Sequence, residues 1–222
     1  EVLGIFGLVG AGRTELLETL FGLHPRRATG RLSLGGETVR FSSPADAIAA
    51  GLALAPEDRK RDGLVLPMSV AANASLASLD RTLRAGFISE TREAAHISPY
   101  LDRFHVKTPS LSQLIVNLSG GNQQKVILAK WLATGPKILL LDEPTRGIDV
   151  NAKREIYAFI DELARLGLGL IVVSSELPEV LALADRVMVM CEGRKTAEFS
   201  RAEATPERVL HAALHDRAAT AC

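Results

Sequence analysis

A glycine-rich segment near the start of the chain constrains its fold more than any other feature. The segment Gly7-Leu8-Val9-Gly10-Ala11-Gly12-Arg13-Thr14 follows apolar residues 2–6 and precedes residues 15–20, a pattern that predicts a strand, a tight loop and a helix. Its spacing is that of a phosphate-binding loop, with arginine in place of the usual lysine. Glycines let the backbone approach an anion closely, and the first amides of the helix bind phosphate oxygens. The alternative is a glycine-rich turn that binds nothing.

Within this loop we expect a nucleotide to contact seven consecutive residues, namely Val9, Gly10, Ala11, Gly12, Arg13, Thr14 and Glu15. The hydroxyl of Thr14 is expected to bind a magnesium ion. A later segment supports this interpretation, because apolar residues 138–141 predict a strand that ends at Asp142, and α/β proteins bind ligands at the carboxyl edge of the sheet. There Asp142 can hold magnesium, and Glu143 can position or polarise a water. An acidic pair after a strand is otherwise an ordinary start of a loop.

A second predicted helix start also suits an anion. In the segment Leu118-Ser119-Gly120-Gly121-Asn122-Gln123-Gln124, Ser119 is positioned to cap a helix and the two glycines leave its first amides open. One domain needs a single phosphate site, so the second one predicts that this helix serves the nucleotide of another domain. A plain capped helix is the alternative, and it is disfavoured because two glycines in the first turn weaken a helix.

The composition excludes several classes of protein. With 222 residues, 47% of them apolar and 23% charged, the chain can bury a sizeable core. Lys+Arg and Asp+Glu each number 26, so the chain has no net charge and no basic footprint for nucleic acid. No apolar run approaches the ~18 residues of a transmembrane helix. Cys191 and Cys222 lack metal-ligand or redox spacing. Since the chain starts inside its first predicted strand, we expect it to be a piece of a longer polypeptide whose earlier strands precede residue 1.

Alternating strand and helix patterns predict an α/β fold whose mainly parallel sheet is covered by helices on both faces. Residues 1–65 and 135–222 are expected to form the nucleotide-binding core. Residues 66–134 show a different pattern, because helical patterns start at Ser69, Ser89 and Ser119 and there is no strong strand signal between residues 69 and 132. We therefore expect a helical subdomain inserted into the core.

The chain resembles the ATPase domains of the ABC transporter family. Residues 118–124 resemble the signature motif of that family. Asp142-Glu143-Pro144-Thr145 and Gly147-Ile148-Asp149 resemble its second nucleotide motif and dimer-contact loop. The resemblance, which covers essentially the whole chain in order, implies a P-loop NTPase fold with a RecA-like core, and ATP and Mg²⁺ as ligands. In that family two domains close head to tail, and each ATP lies between the phosphate loop of one domain and the signature of the other. The residues implied to contact nucleotide from the signature side are Ser119, Gly120, Gly121, Gln123 and Asp149.

The sequence departs from the family pattern at three positions. Arg13 replaces the usual lysine, Glu57 stands where a glutamine usually senses the γ-phosphate, and Ser175 stands where a histidine usually bonds the γ-phosphate. Glu143, Glu57 and Ser175 are thus the candidate catalytic positions. With the unbroken signature and the charged segment at residues 57–63, these departures resemble the second half of the double-domain ATP-binding subunits of ribose-, galactose- and xylose-type monosaccharide importers.

The departures favour one of several functional hypotheses. Losing one preorganised donor typically costs about 2.7–4 kcal/mol in the barrier, so we expect weak, static ATP binding at the chain's own loop and a main role in supplying the signature to a partner's ATP. The alternative is a fully active ATPase domain that hydrolyses ATP at its own loop. A relative acting on DNA or the ribosome would carry long coiled-coil or basic insertions, which the sequence lacks. A soluble P-loop kinase would not need the second anion-binding helix.

The resemblance also implies partners. These are a second ATPase half-domain fused upstream, transmembrane permease subunits, and, indirectly, a periplasmic or extracellular sugar-binding protein, with no nucleic acid. The chain would then lie at the cytoplasmic face of the membrane as a peripheral domain. Permease contacts are expected from residues 58–70, where charge reversal at Arg59 or Lys60 should uncouple transport more than ATP binding. The alternative for residues 58–70 is a mobile exposed loop, in which the basic run at residues 59–61 is solvated.

Overall fold

A six-stranded sheet organises the computed structural model, which describes residues 1–214. The strands in chain order are β1 (Val2–Gly7), β2 (Leu32–Leu34), β3 (Glu37–Val39), β4 (Leu52–Ala55), β5 (Leu83–Arg84), β6 (Phe87–Ile88), β7 (Ile138–Asp142), β8 (Gly169–Ser174), β9 (Arg186–Cys191) and β10 (Arg194–Ser200). The α-helices are α1 (Arg13–Leu20), α2 (Pro44–Ala50), α3 (Val70–Ser75), α4 (Glu90–Arg103), α5 (Gly120–Leu132), α6 (Val150–Arg165), α7 (Leu177–Leu183) and α8 (Pro206–Leu214).

The large sheet has the order β10-β9-β1-β8-β7-β4. Every neighbouring pair is parallel except β9 and β10, which form an antiparallel edge. β1 lies between β8 and β9, and its Leu3 is in register with Ile171 on one side and Arg186 on the other. The central strands are almost wholly buried and apolar, as strands covered on both faces must be. The prediction of a mainly parallel sheet is confirmed.

Helices pack on both faces of this sheet. On one face, Phe6 and Val187 form a buried cluster with Val180 of α7 and Val209 of α8. On the other face a larger buried cluster joins the strands to α1, α5 and α6. Among residues 1–214, no helix is both long and apolar enough to cross a bilayer. Cys191 is buried as a free thiol, whereas Cys222 lies outside the described residues.

The segment between β4 and β7 is mostly helical. α3, α4 and α5 pack against one another, and serine side chains cap α3 and α5 as expected. The segment also contains two short strands that no strong sequence signal indicated, because β5 and β6 pair as a hairpin through Leu83 with Ile88 and Arg84 with Phe87. Two-residue strands are too short to produce a periodic pattern. The division of the chain at residues 66 and 134 stays a prediction.

Candidate nucleotide-binding site

The glycine-rich loop connects the end of β1 to the start of α1, as predicted. Gly12 precedes the first helical residue with φ of 86°, and no side chain caps the first turn. This left-handed conformation favours glycine. The loop is fixed from within, because the Ala11 N–H donates to the Leu8 carbonyl at 3.0 Å and the Ala11 carbonyl accepts from the Gly193 N–H at 2.9 Å. Val9 at the tip is 89% exposed. The positive end of α1 is therefore open to an anion.

Arg13, the first residue of α1, turns its side chain inward rather than toward the open face of the loop. Its Nη1 lies 3.3 Å from Glu143 Oε1, and both side chains are more than nine-tenths buried. The approach has the distance of an ion pair without hydrogen-bond geometry, so Arg13 Nη1 has no hydrogen-bond partner within residues 1–214. The same Oε1 accepts the backbone N–H of Ser175 at 2.8 Å. A buried cation and the candidate catalytic carboxylate thus engage each other.

Glu143 is held in an uncommon backbone conformation. Its φ is 47°, in the left-handed region that side-chain-bearing residues rarely adopt. Hydrogen bonds hold it there, since its N–H donates to the Val173 carbonyl at 2.9 Å and its own carbonyl accepts from the Arg146 N–H at 3.0 Å. Such a conformation costs about 1–3 kcal/mol and persists where the surroundings determine it, typically at functional sites. The position of Glu143 at the end of β7 is consistent with a functional role.

Asp142 and Thr14 form the part of the site that suits a divalent cation. Asp142 is 2% exposed. Burial raises its pKa to about 6, while a hydrogen bond from Thr14 lowers the pKa and the charge of Glu143 raises it. Its Oδ1 is buried without a hydrogen-bond partner among the described residues. Within residues 1–214 no group of three or more His, Cys, Asp or Glu side chains could hold a metal. A Mg²⁺ bound by one carboxylate and one hydroxyl fits this donor set when phosphate oxygens complete its coordination.

A buried carboxylate, Glu179 on α7, supports the loops that carry Glu143 and Ser175. Glu179 is 2% exposed and accepts hydrogen bonds from the hydroxyls of Thr145 at 2.8 Å and Ser174 at 2.5 Å. Thr145 lies two residues after Glu143, and Ser174 directly precedes Ser175. Burial raises the pKa of Glu179, and the two hydroxyls lower it. One side chain therefore ties the loop after β7 to the end of β8.

Two of the predicted catalytic positions, Glu57 and Ser175, make protein contacts that the sequence did not indicate. Glu57 lines the same cleft as Thr14 and Asp142, and its carboxylate pairs with the Arg146 guanidinium in the loop after β7. Ser175 is exposed, and its backbone rather than its hydroxyl contacts Glu143. The pairing with Arg146 reduces the repulsion that an unpaired Glu57 would exert on an anion.

The predicted signature residues lie together at the start of α5. The Ser119 hydroxyl caps the helix, accepting from the Asn122 backbone N–H at 3.4 Å and from its side-chain amide at 3.0 Å. A Cβ added at Gly121 would lie 2.6 Å from the Ala152 Cβ on α6 and 3.8 Å from Asp149 Oδ2. Glycine is therefore required for the close contact of the two helices. It also brings the signature next to Asp149.

Gln123 and Asp149 are partly committed to the fold. The Gln123 side chain is buried and donates from Nε2 to the Ile115 carbonyl at 3.1 Å. Asp149 caps α6 by accepting the backbone N–H groups of Asn151 and Ala152, both at 3.0 Å. These backbone hydrogen bonds lower the pKa of Asp149. Asp149 is exposed and can contact a partner. The side chain of Gln123 is buried and bonds to the backbone of its own domain.

A cleft of about 700 Å³ begins at Thr14 and Asp142 and extends past Trp131 along the charged segment 57–62. Lys60 and Arg61 are exposed there. Arg59 differs from the expected solvated loop, because it is half-buried and donates to the carbonyls of Arg146 at 2.7 Å and Gly147 at 3.1 Å. The backbone of residues 59–63 forms a π-helical turn.

The sequence profile described as "ABC transporter" matches residues 1–146. The chain belongs to the ABC transporter family. This ABC domain is 65% identical over 222 residues to the ribose import ATP-binding protein RbsA of Rhodopirellula baltica, a match that covers 100% of this chain and 43% of that protein. It is 49% identical over 210 residues to the xylose import ATP-binding protein XylG of Moorella thermoacetica, covering 95% of this chain and 42% of that protein. The domain thus spans less than half the length of these curated relatives.

Solved structures give the same fold. The ABC domain matches MJ1267, an ATP-binding cassette of an ABC transporter, with a TM-score of 0.78 at 21% identity, covering 96% of this chain and 87% of that one. It matches the dimeric cassette MJ0796 bound to ADP and Pi with a TM-score of 0.76 at 19% identity, covering 90% and 85%. The prediction of an ABC ATPase fold is confirmed, and the chain is an ATP-binding domain of that ATPase family.

Sequence reasoning missed several side chains in this ABC domain. Glu179 had one local indication, an acidic residue beside the apolar Val180 in a short helix. Arg146, which pairs with Glu57, had none. Arg59 was identified as a candidate permease contact, but its hydrogen bonds to the loop after β7 were not foreseen, because that loop lies far away in the sequence. Glu179, Arg146 and Arg59 each make a contact that holds the loop after β7, and the two arginines connect it to the loop after β4.

Proposed function

We propose that this domain is the second ATP-binding half of a monosaccharide importer's ATP-binding subunit. In this proposal it binds ATP at its own loop with little hydrolysis, and it supplies Ser119, Gly120 and Gly121 to the ATP of a partner half-domain. The similarity to ribose and xylose import ATP-binding proteins supports the sugar importer. The chain spans 43% and 42% of the length of these two relatives, which supports its being one half of such a subunit.

The observation that carries the proposal is the ion pair between Arg13 and Glu143. A phosphate-binding loop needs a cation directed at the β- and γ-phosphates, and hydrolysis needs a carboxylate free to orient water. Here the cation and the carboxylate lie against each other, and Glu143 also accepts the Ser175 N–H. Arginine is a planar fork and not a compact charge, so it does not replace lysine geometrically. Both functions are weakened by one contact.

The other residues at this domain's own nucleotide site favour ATP binding without hydrolysis. Thr14 and Asp142 would hold Mg²⁺, which when bound neutralises phosphate charge. The open amides of α1 bind phosphate oxygens through the positive helix end. The Ser175 hydroxyl cannot extend as far as an imidazole, so it supplies no equivalent donor to the γ-phosphate. Binding groups are therefore retained, whereas the groups that stabilise the transition state are reduced.

The other half of the proposal concerns the start of α5. Ser119 is exposed, and the first turn is capped only by its hydroxyl, so the positive helix end faces outward. Asp149 lies beside it at the start of α6. Residues 119–121 do not line the described cleft that contains Thr14 and Asp142. A nucleotide at the signature would therefore belong to a second domain.

The cleft beside the charged segment is the proposed docking site for transmembrane permease subunits. Its exposed wall carries Lys60 and Arg61, and the cleft reaches Thr14 and Asp142 at its inner end. A partner bound in the cleft would lie next to Thr14 and Asp142, the residues proposed to hold Mg²⁺. The domain would then lie at the cytoplasmic membrane face, with a sugar-binding protein acting only through the permease. Lys60→Glu should reduce transport more than ATP binding, and equal losses in both would refute the docking assignment.

A fully active ATPase is the second candidate, because Asp142, Thr14 and Glu143 are all present in the order that hydrolysis needs. Steady-state turnover of the purified chain with ATP and Mg²⁺ separates the two. We expect turnover well below about 1 per second, the lower end of typical enzyme values. A value above that, abolished by Glu143→Gln, would establish hydrolysis at the own loop and overturn the proposal.

A further inference from the structure

One arginine, Arg59, connects three segments that are distant in sequence. It begins the turn after β4, and its Nη1 and Nη2 donate to the carbonyls of Arg146 at 2.7 Å and Gly147 at 3.1 Å, in the loop between β7 and α6. Its guanidinium also lies against the start of α5, since a Cβ added at Gly120 would be 2.8 Å from Arg59 Nη2. A side chain at position 120 would therefore displace the Arg59 guanidinium from this position.

The placement of this cation is not explained by the stability of α5. A positive charge near the start of a helix opposes the helix macrodipole, which favours anions there. Arg59 Nε is moreover buried without a hydrogen-bond partner among the described residues. The position of Arg59 is therefore unfavourable in electrostatics and in hydrogen bonding. This suggests that its role is to hold the surrounding loops in place. Those loops carry Gly120 on one side and, two residues after Gly147, Asp149 on the other.

The rest of the turn is attached to α5 as well. Lys130 Nζ donates to the Gly63 carbonyl at 2.7 Å, and a Cβ at Gly63 would meet Ile127 Cδ1 at 2.7 Å. The Asp58 carboxylate accepts the Lys60 and Arg61 backbone N–H groups and fixes the start of the turn. The turn is thus held at both ends by hydrogen bonds. Because the turn is fixed, the hydrogen bonds from Arg59 also fix the loop after β7.

We propose that Arg59 is a positioning residue for the signature: by holding the carbonyls of residues 146 and 147 against the start of α5, it sets the spacing between Ser119–Gly121 and Asp149. These two elements face the same partner nucleotide under the proposed function, on which this inference rests. Arg59 itself touches no nucleotide. Hydrolysis needs the signature of this domain to close on the ATP in the partner's phosphate loop. Loss of Arg59 should therefore lower the rate of hydrolysis and leave the initial binding of ATP unchanged.

Arg81 provides a matched control. Its two guanidinium nitrogens also donate to consecutive backbone carbonyls, those of Ala133 and Thr134, both at 3.1 Å. These carbonyls lie at the far end of α5, away from the signature. Arg81→Ala removes the same type of contact from the same helix without altering the spacing at Ser119.

The test uses the complete ATP-binding subunit assembled with its transmembrane partners. Arg59→Ala should lower kcat for ATP hydrolysis at least tenfold with KM changed less than twofold, whereas Arg81→Ala should change kcat less than twofold. Arg59→Lys, which keeps the charge but not the fork, should recover only part of the rate. Binding of a fluorescent ATP analogue to the chain's own loop should be the same in all variants. Unchanged kcat in Arg59→Ala, an equal loss in Arg81→Ala, or an equal loss of nucleotide binding would overturn the inference.

Ser119→Arg, measured in parallel, distinguishes the two levels of the proposal. If Ser119→Arg abolishes hydrolysis while Arg59→Ala does not affect it, the signature is used and only the role of Arg59 is wrong. If Ser119→Arg leaves hydrolysis intact, the proposed function fails and the role of Arg59 fails with it.

Discussion

Arg13 Nη1 and Glu143 Oε1 lie 3.3 Å apart, each on a nearly buried side chain. Arg13 is the first residue of α1 and Glu143 is the first residue after β7, and their charges neutralise each other. In an active site the cation would bind phosphate and the carboxylate would orient water, each separately. Burial strengthens such a pair, because fewer waters screen it. The predictions below follow from this pair and from the contacts around it.

Restoring the family residues should restore hydrolysis. In the double variant Arg13→Lys, Ser175→His, a compact ammonium can reach the phosphates and an imidazole can reach the γ-phosphate, so we expect turnover of the chain to rise at least tenfold, or ~1.4 kcal/mol. Steady-state phosphate release measures this. Adding Glu143→Gln to the double variant should remove the gain. A double variant as slow as the parent would show that these positions do not limit hydrolysis.

Glu143→Gln alone should tighten nucleotide binding. It removes the carboxylate charge that holds Arg13, so the guanidinium becomes available to phosphate, and we expect roughly tenfold higher affinity for MgATP, about 1.4 kcal/mol. Calorimetric titration measures it. Glu155→Gln is the control, because Glu155 also pairs with a buried cation, Lys125, away from the site. Unchanged or weaker binding in Glu143→Gln would indicate that Arg13 is not held by this pair.

Lys130 should make stability depend on pH in the alkaline range. Burial lowers its pKa from 10.5 to about 8. Between those values the unfolded chain binds more protons than the folded one, so this group's contribution to the free energy of unfolding rises with pH. The total rise from below pH 8 to above pH 10.5 is roughly 3 kcal/mol. Denaturant unfolding of the parent and Lys130→Met across this range should show their difference changing by that order. Parallel curves would contradict the shift.

Gly121→Ala should separate α5 from α6. The added Cβ would meet the Ala152 Cβ at 2.6 Å, well inside contact distance. Overpacking of this kind costs typically 1–3 kcal/mol. The double variant Gly121→Ala, Ala152→Gly removes the clash and should regain most of the lost stability, less the cost of glycine within α6. Thermal unfolding of the two variants tests this, and a double variant no more stable than Gly121→Ala would show that the clash is not the cause.

Local patterns in the sequence predicted most of the framework. The glycine spacing located the loop between β1 and α1, the apolar run before Asp142 located its position at the sheet edge, and Ser119 was identified as the cap of α5. Each of these depends on residues adjacent in the chain, where turn, cap and periodicity rules apply.

The contacts that alter the chemistry could not be predicted in this way. Arg13 meets Glu143, Glu57 meets Arg146 and Arg59 meets Gly147 only because the sheet brings the loops after β1, β4 and β7 together. The resemblance put Glu57 where a glutamine usually senses the γ-phosphate, but nothing in the sequence indicates that Arg146 lies beside it. The hairpin of β5 and β6 escaped detection for a different reason, because its strands are two residues long.

The central claim is that the signature at Ser119 serves a working nucleotide site while the phosphate loop at Arg13 does not. The most direct measurement is steady-state ATP hydrolysis by the complete ATP-binding subunit with its permease, comparing Ser119→Arg with Glu143→Gln. We predict that Ser119→Arg reduces hydrolysis to background and that Glu143→Gln leaves it within twofold of the parent. Loss of hydrolysis in Glu143→Gln with retention in Ser119→Arg would contradict the account.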